Sequence, residues 1–175
     1  MANFKEALKL VLKHEGGYVD HKDDKGGATN KGITLKTYQA YKPNANKEDL
    51  KNITEAEVEQ IYKDGYWDKC SCDLIKSQAV ANKVFDVAVN TGPKQAIKFL
   101  QRTLNIVIFN GKPLTVDGII GKNTIEAINL LDGEDVDSNI LQVYSLLQKE
   151  YYANLVINNN SQLVFLKGWF KRADA

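Results

Sequence analysis

Helical spacing of apolar residues, returning in segment after segment, constrains this chain's fold more than any other feature. Phe4, Ala7, Leu8, Val11 and Leu12 fall at i, i+3, i+4, i+7 and i+8, so residues 2–14 predict one amphipathic helix. Gly16-Gly17 should end it. Thr34 is placed to cap a short helix through Tyr41, closed by Pro43. Thr54 opens a capping-box pattern with Glu57, ahead of Val58, Ile61 and Tyr62 at helical spacing. Asp73 is placed to cap a long helix to about Asn90, with Val80, Val84, Val87 and Ala88 inward. Pro93 suits the first turn of the next helix, which carries Ile97, Leu100 and Leu104. Further helical stretches are expected at about 122–131, 139–157 and 161–172, with "DGEDVD" (132–137) as the most linker-like segment. Small β elements are expected near residues 18–34. A hairpin is expected near 106–116, where Asn110-Gly111 is the strongest short hairpin signal.

Composition narrows what such a chain can do. At 175 residues it suits one domain, or two small ones sharing a core, and 43% hydrophobic with 26% charged residues is ordinary for a soluble globular protein. Charge is even: 14 Lys/Arg against 14 Asp/Glu in residues 1–90, then 9 against 8 in residues 91–175. No half forms a basic field, which argues against nucleic acid as a partner. No apolar run is long enough for a membrane span. Cys70 and Cys72 are too close for an ordinary disulfide and read as free thiols of a reducing compartment. The N-terminal "MANFKEALKLVLKHEGG" lacks the uninterrupted apolar stretch and cleavage site of a conventional signal peptide.

Several motifs fail on spacing. His14-Glu15 begins the HExxH zinc pattern, but Tyr18 stands where the second histidine belongs. Asp20, Asp23 and Asp24 suggest a calcium loop, yet the twelfth position is Lys31 in place of a bidentate glutamate. "GIIGKNT" (118–124) is too short for a phosphate loop. A metal or cofactor is therefore not expected. Glu15 is more promising. A carboxyl beside a helix C-terminus faces the negative end of the helix dipole, which disfavours its ionised form and suits a general acid. Gly16-Gly17 leaves room for substrate near the backbone, and Asp24, nine residues on, could supply the second carboxylate of a glycosidase pair. On local chemistry alone, a solvated glutamate before an Asp/Gly-rich loop is the commoner meaning of the same residues.

The ordered run "EGGYVDHKDDKGGATNKGIT" (15–34) resembles the signature of the glycoside hydrolase family 108 muramidases, approximately E-G-G-Y-V-x-x-P-x-D-x-G-G-x-T-N-x-G-I-T. These are lysozyme-like enzymes of phages and bacteria, some of them labelled secretion activator proteins. Lys22, and often Lys25, stand where the family usually has proline. "YWDKCSCDLI" (66–75) is similar to the family's Tyr-Trp segment. "VFDVAVNTGPKQAIKFLQRTLN" with "VDGIIGKNTIEAI" resembles its C-terminal peptidoglycan-binding domain, and "FLKGWFKR" (165–172) its usual ending.

The resemblance implies a mainly α, lysozyme-like helical fold. Residues 1–90 would form the catalytic lobe, and residues 91–175 a helical peptidoglycan-binding region packed on it. It implies an N-acetylmuramidase cutting the β-1,4 bond between N-acetylmuramic acid and N-acetylglucosamine, without cofactor. Glu15 matches the family's general acid. Asp24 and Thr29 are the candidates for positioning the attacking water, with Asp20 and Asp23 as alternatives for the second carboxylate. Tyr18, Thr34, Tyr66, Trp67 and Asn90 are expected to line the cleft, though core packing explains Trp67 equally well. The expected partner is the glycan strand, met by a monomer made in the cytoplasm and released to the cell wall, with a holin as the possible exit. A non-catalytic wall-binding or secretion-assisting protein is the alternative, and a thiol peptidase using Cys70 or Cys72 is a second.

Overall fold

A computed structural model describes residues 1–13, 15–20, 27–108, 112–130 and 133–175. The fold is mainly α, with one two-stranded antiparallel sheet among the described residues. Helix α1 (Phe4–Leu12) starts at Asn3, whose side chain accepts from the amides of Lys5 and Glu6, and buries Ala7, Leu8 and Val11. Strands β1 (Thr29–Asn30) and β2 (Ile33–Thr34) pair as a hairpin closed by Lys31 and Gly32. Both turn residues have positive φ, 48° and 74°, which a two-residue hairpin turn of matching twist requires. The buried Asn30 side chain donates to the Leu50 and Lys51 carbonyls, tying the hairpin to the end of α3 (Lys47–Lys51).

Thr34 caps α2 (Leu35–Tyr41), and Thr54 with Glu57 forms the expected capping box on α4 (Glu55–Tyr62). The chain then continues through a wide π-turn at Lys63–Trp67 and short 3-10 turns ending at Leu74. This widened turn sends Trp67 inward, fully buried, against the edges of Phe4 and Phe85 at 5.6 and 5.5 Å. Cys70 and Cys72 are free thiols buried in the same core. Ser77, rather than Asp73, caps the central helix α5 (Gln78–Thr91). Asp73 instead accepts a hydrogen bond from the Trp67 indole at 2.7 Å.

Pro93 opens α6 (Pro93–Val107) as expected. The hairpin expected near 106–116 does not form among the described residues: α6 runs through Val107, and residues 112–116 carry no strand. Asn110-Gly111, its predicted turn, lies outside the described residues. The physical reason is competition for the backbone. Asn105 bonds both the amide and the carbonyl of Leu114, while Gln101 accepts from the Gly118 amide and donates to the Ile119 carbonyl. Side chains of α6 thus take the polar groups that a ladder would use. The predicted linker at 132–137 is also corrected: beyond α7 (Lys122–Leu130), helix α8 (Glu134–Asn158) already begins inside it. Helix α9 (Leu163–Ala173) closes the chain. Helix α6 packs on α5, α8 on both of these and α9 on α8, and Tyr144 of α8 donates to the Ala96 carbonyl of α6.

Candidate active site

Glu15 sits one turn past the end of α1, its amide 3.4 Å from the Leu12 carbonyl, at the helix C-terminus as expected. The hairpin holds this loop in place. Lys31 donates its amide to the Gly16 carbonyl at 3.1 Å, and Val19 and Thr29 exchange a pair of 2.8 Å backbone bonds. Gly32 at the hairpin tip then lies directly against the glutamate. A Cβ there would stand 2.7 Å from Glu15 Oε2, 2.9 Å from its Cδ and 2.5 Å from the Tyr62 hydroxyl. Only glycine supplies both this close approach and the left-handed backbone.

The other face of the carboxyl meets a cation from the far end of the chain. Arg172, in the last turn of α9, directs Nη1 and Nη2 at Glu15 Oε1, both at 3.4 Å. Asp86 of α5 holds the same guanidinium through Nε at 3.2 Å and Nη2 at 2.9 Å. All three side chains are below 20% exposed. Burial works against the arginine's charge, but Asp86 and then Glu15 outweigh it and hold the guanidinium protonated more firmly than a free one. Tyr62 donates to the Lys31 carbonyl at 2.9 Å, and its phenol is pushed up by burial first and by the Glu15 charge second. Tyr66, half-buried with its ring 5.8 Å from that of Tyr62, is raised by the same two causes. Beside these groups a cleft of about 410 Å³ runs between α1 and α4, with Glu15 and Lys31 in its wall and Leu8, Leu12 and Val58 among its lining.

The other expected site residues scatter. Asp24 and Asp23 lie outside the described residues. Asp20 is engaged by Lys47 at 3.0 Å. Thr29 is half-buried in β1, its hydroxyl 3.4 Å from the Gly27 carbonyl, and Tyr18 is half-buried beside the same sheet. Thr34 spends its hydroxyl on the α2 cap. Asn90, at the end of α5, accepts from Tyr152 at 2.5 Å. Trp67 has no exposed face for a sugar, since its core position leaves it 0% accessible; it belongs to the packing alternative. Arg172, Asp86, Gly32 and Tyr62 were not singled out by sequence reasoning. Gly32 had the one available signal, its place in the Gly-Ile-Thr run, whereas nothing local marks an Arg–Glu contact spanning 157 residues. Among the described residues, no group of three or more His, Cys, Asp or Glu side chains is placed to hold a metal. No described helix is long and apolar enough to cross a membrane.

A helical frame that seats one half-buried glutamate against the glycine tip of a hairpin, beside an open cleft, has the setting that acid catalysis of bond hydrolysis needs. The glycosyl hydrolase 108 model matches residues 8–92, and a predicted peptidoglycan domain matches residues 95–174. The chain is also similar to a solved structure, that of SagA from Brucella abortus. The two are 30% identical, with a TM-score of 0.73 over 98% of this chain and 89% of the other. No curated protein sequence matches. The chain belongs to the glycosyl hydrolase 108 family and is a peptidoglycan-related hydrolase.

Proposed function

We propose that this protein is an N-acetylmuramidase, hydrolysing the β-1,4 bond between N-acetylmuramic acid and N-acetylglucosamine, with Glu15 as general acid on the leaving glycosidic oxygen. The observation that carries this reading is the seating of Glu15: half-buried, at a helix end, on the wall of a cleft, with its carboxyl fixed between Gly32 and Arg172. A carboxyl held in one orientation can be aimed at a single bond, which a solvated loop glutamate cannot. The position of Glu15 in the matched family region supports the same role. Asp24 and Thr29 remain the proposed groups for the attacking water. The separation of the Asp24 carboxyl from that of Glu15 bears on the stereochemistry: roughly 6.5–9.5 Å for inversion, roughly 5–5.5 Å for a covalent route. Tyr18, Tyr66, Thr34 and Asn90 are proposed to line the sugar path, with residues 1–90 as the catalytic lobe and 91–175 as the glycan-holding region. On this reading the protein acts as a monomer on the cell wall after release, a holin-like pore being one route. Its appearance in medium from intact cells without any phage genes would count against that route.

Product analysis tests the bond assigned. Purified peptidoglycan digested by the protein, reduced with borohydride and read by mass spectrometry should show reduced N-acetylmuramic acid ends. Reduced N-acetylglucosamine ends, or freed stem peptides with intact glycan, would reject the assignment.

A further inference from the structure

We propose that Arg172 is a positioning residue for Glu15, itself set by Asp86, so that the last helix of the C-terminal region is part of the catalytic apparatus. The inference rests on Glu15 being the acid, as proposed above. Three observations carry it.

First, the guanidinium is organised before it meets the glutamate. Its Nε lies 3.2 Å from both Asp86 oxygens and Nη2 is 2.9 Å from one of them, against 3.4 Å to Glu15. The tighter partner is therefore Asp86, on the rigid central helix, and the planar fork of arginine passes that orientation to a second carboxylate. A lysine offers one compact charge and cannot reproduce the fork.

Second, the end of α9 is fastened to α5 and α8 independently of Arg172. Ala173 is fully buried, and its carbonyl accepts from the buried Lys83 amine at 2.7 Å. Asp174 pairs with Lys149. Trp169, one turn before Arg172, stacks on Tyr152 with ring centroids 5.1 Å apart. The arginine thus arrives on an anchored backbone.

Third, Glu15 needs such a partner. The hairpin holds the loop backbone, but Gly16 and Gly17, which follow, bring no side chain to pack against the glutamate. A long carboxylate side chain left alone samples many rotamers. Gly32 shapes one side of the pocket, and Arg172 supplies the directional contact on the other.

The test separates kcat from KM on soluble, purified glycan strands from peptidoglycan. R172M should lower kcat by about 10- to 100-fold, the cost of roughly 1 Å of misplacement at a reacting group, with KM changed less than about threefold. R172K should recover part of the loss. D86N leaves the arginine charge but frees its orienting partner, and should lower kcat in the same sense; it also serves as the readout where Met at position 172 prevents folding. Folded protein with wild-type kcat in both R172M and D86N would overturn the proposal, as would a loss confined to KM. E15Q distinguishes the two levels. An active E15Q removes the proposed acid itself, whereas an inactive E15Q beside a fully active R172M removes only the role of Arg172.

Discussion

Replacing Gly32 with alanine tests how closely the glutamate is seated. The backbone there has φ of 74°, where a side chain costs about 1–2 kcal/mol. The added Cβ also meets three atoms closer than 3.0 Å. The Tyr62 ring is buried and its hydroxyl is tied to the Lys31 carbonyl, so Tyr62 has little room to retreat. Glu15, at the end of a flexible side chain, is the group that yields. Ordinary contact begins at 3.4 Å and Oε2 stands at 2.7 Å, so the carboxyl must move at least 3.4 − 2.7 = 0.7 Å. The Tyr62 hydroxyl, 2.5 Å from the added Cβ and unable to retreat, stays in contact, so overpacking of about 1–3 kcal/mol adds to the backbone cost, and a domain of this size should melt roughly 4–20 °C lower. The activity loss should be far larger, about 100-fold in kcat. Release of reducing ends from peptidoglycan, measured some 20 °C below the variant's own midpoint (about the margin at which it is wholly folded), separates the two effects. A G32A protein melting within this range yet keeping activity within threefold would show that the seating of Glu15 against Gly32 does not matter to turnover.

Other perturbations have equally definite outcomes. W67A should cost about 3–5 kcal/mol, since the side chain is fully enclosed by Phe4, Phe85 and neighbours; a stable W67A with weakened glycan binding would instead place the indole in the cleft. Cys72 is raised by its hydrogen bond with Cys70 and by burial, and both thiols are enclosed. Native protein should therefore resist iodoacetamide and keep full activity, and rapid alkylation with inactivation would revive a thiol mechanism. The phenols of Tyr62, Tyr66 and Tyr152 are all raised above their ordinary 10.0, chiefly by burial. Between that value and the folded one the native state keeps protons that the unfolded state releases. Their contribution is complete below pH 10 and is lost as pH climbs through the folded values. Melting temperature should therefore fall above pH 10, and Y62F should flatten part of that fall; an unchanged slope would show that Tyr62 does not contribute.

Legibility in the sequence followed the range of the interactions. Helices α1, α2, α4 and α6 announce themselves because apolar spacing, the Thr34 and Thr54 caps and Pro93 act within a turn or two. Turn chemistry misled where side chains from elsewhere intervened. Asn110-Gly111 promised a hairpin, yet Asn105 and Gln101 claim the backbone of the following segment. The real hairpin turns on Lys31-Gly32, a less familiar pair, held by Asn30 reaching α3. At the site, the neighbourhood of Glu15 left two readings open, and the ordered run through Thr34 singled it out as the proposed acid. Its restraints could not be read there, because Arg172 reaches it, and Asp86 reaches Arg172, only after α5 and α9 pack, and no periodicity encodes a contact of that span.

On the proposed mechanism, Glu15 donates the proton that breaks the glycosidic bond. E15Q keeps the size and hydrogen-bonding reach of the side chain but has no acidic proton. New reducing ends released from purified peptidoglycan by wild type and E15Q, at equal folded concentration, test it directly. A fall of at least about 100-fold is expected in E15Q; equal release by the two proteins would take the role of acid from Glu15.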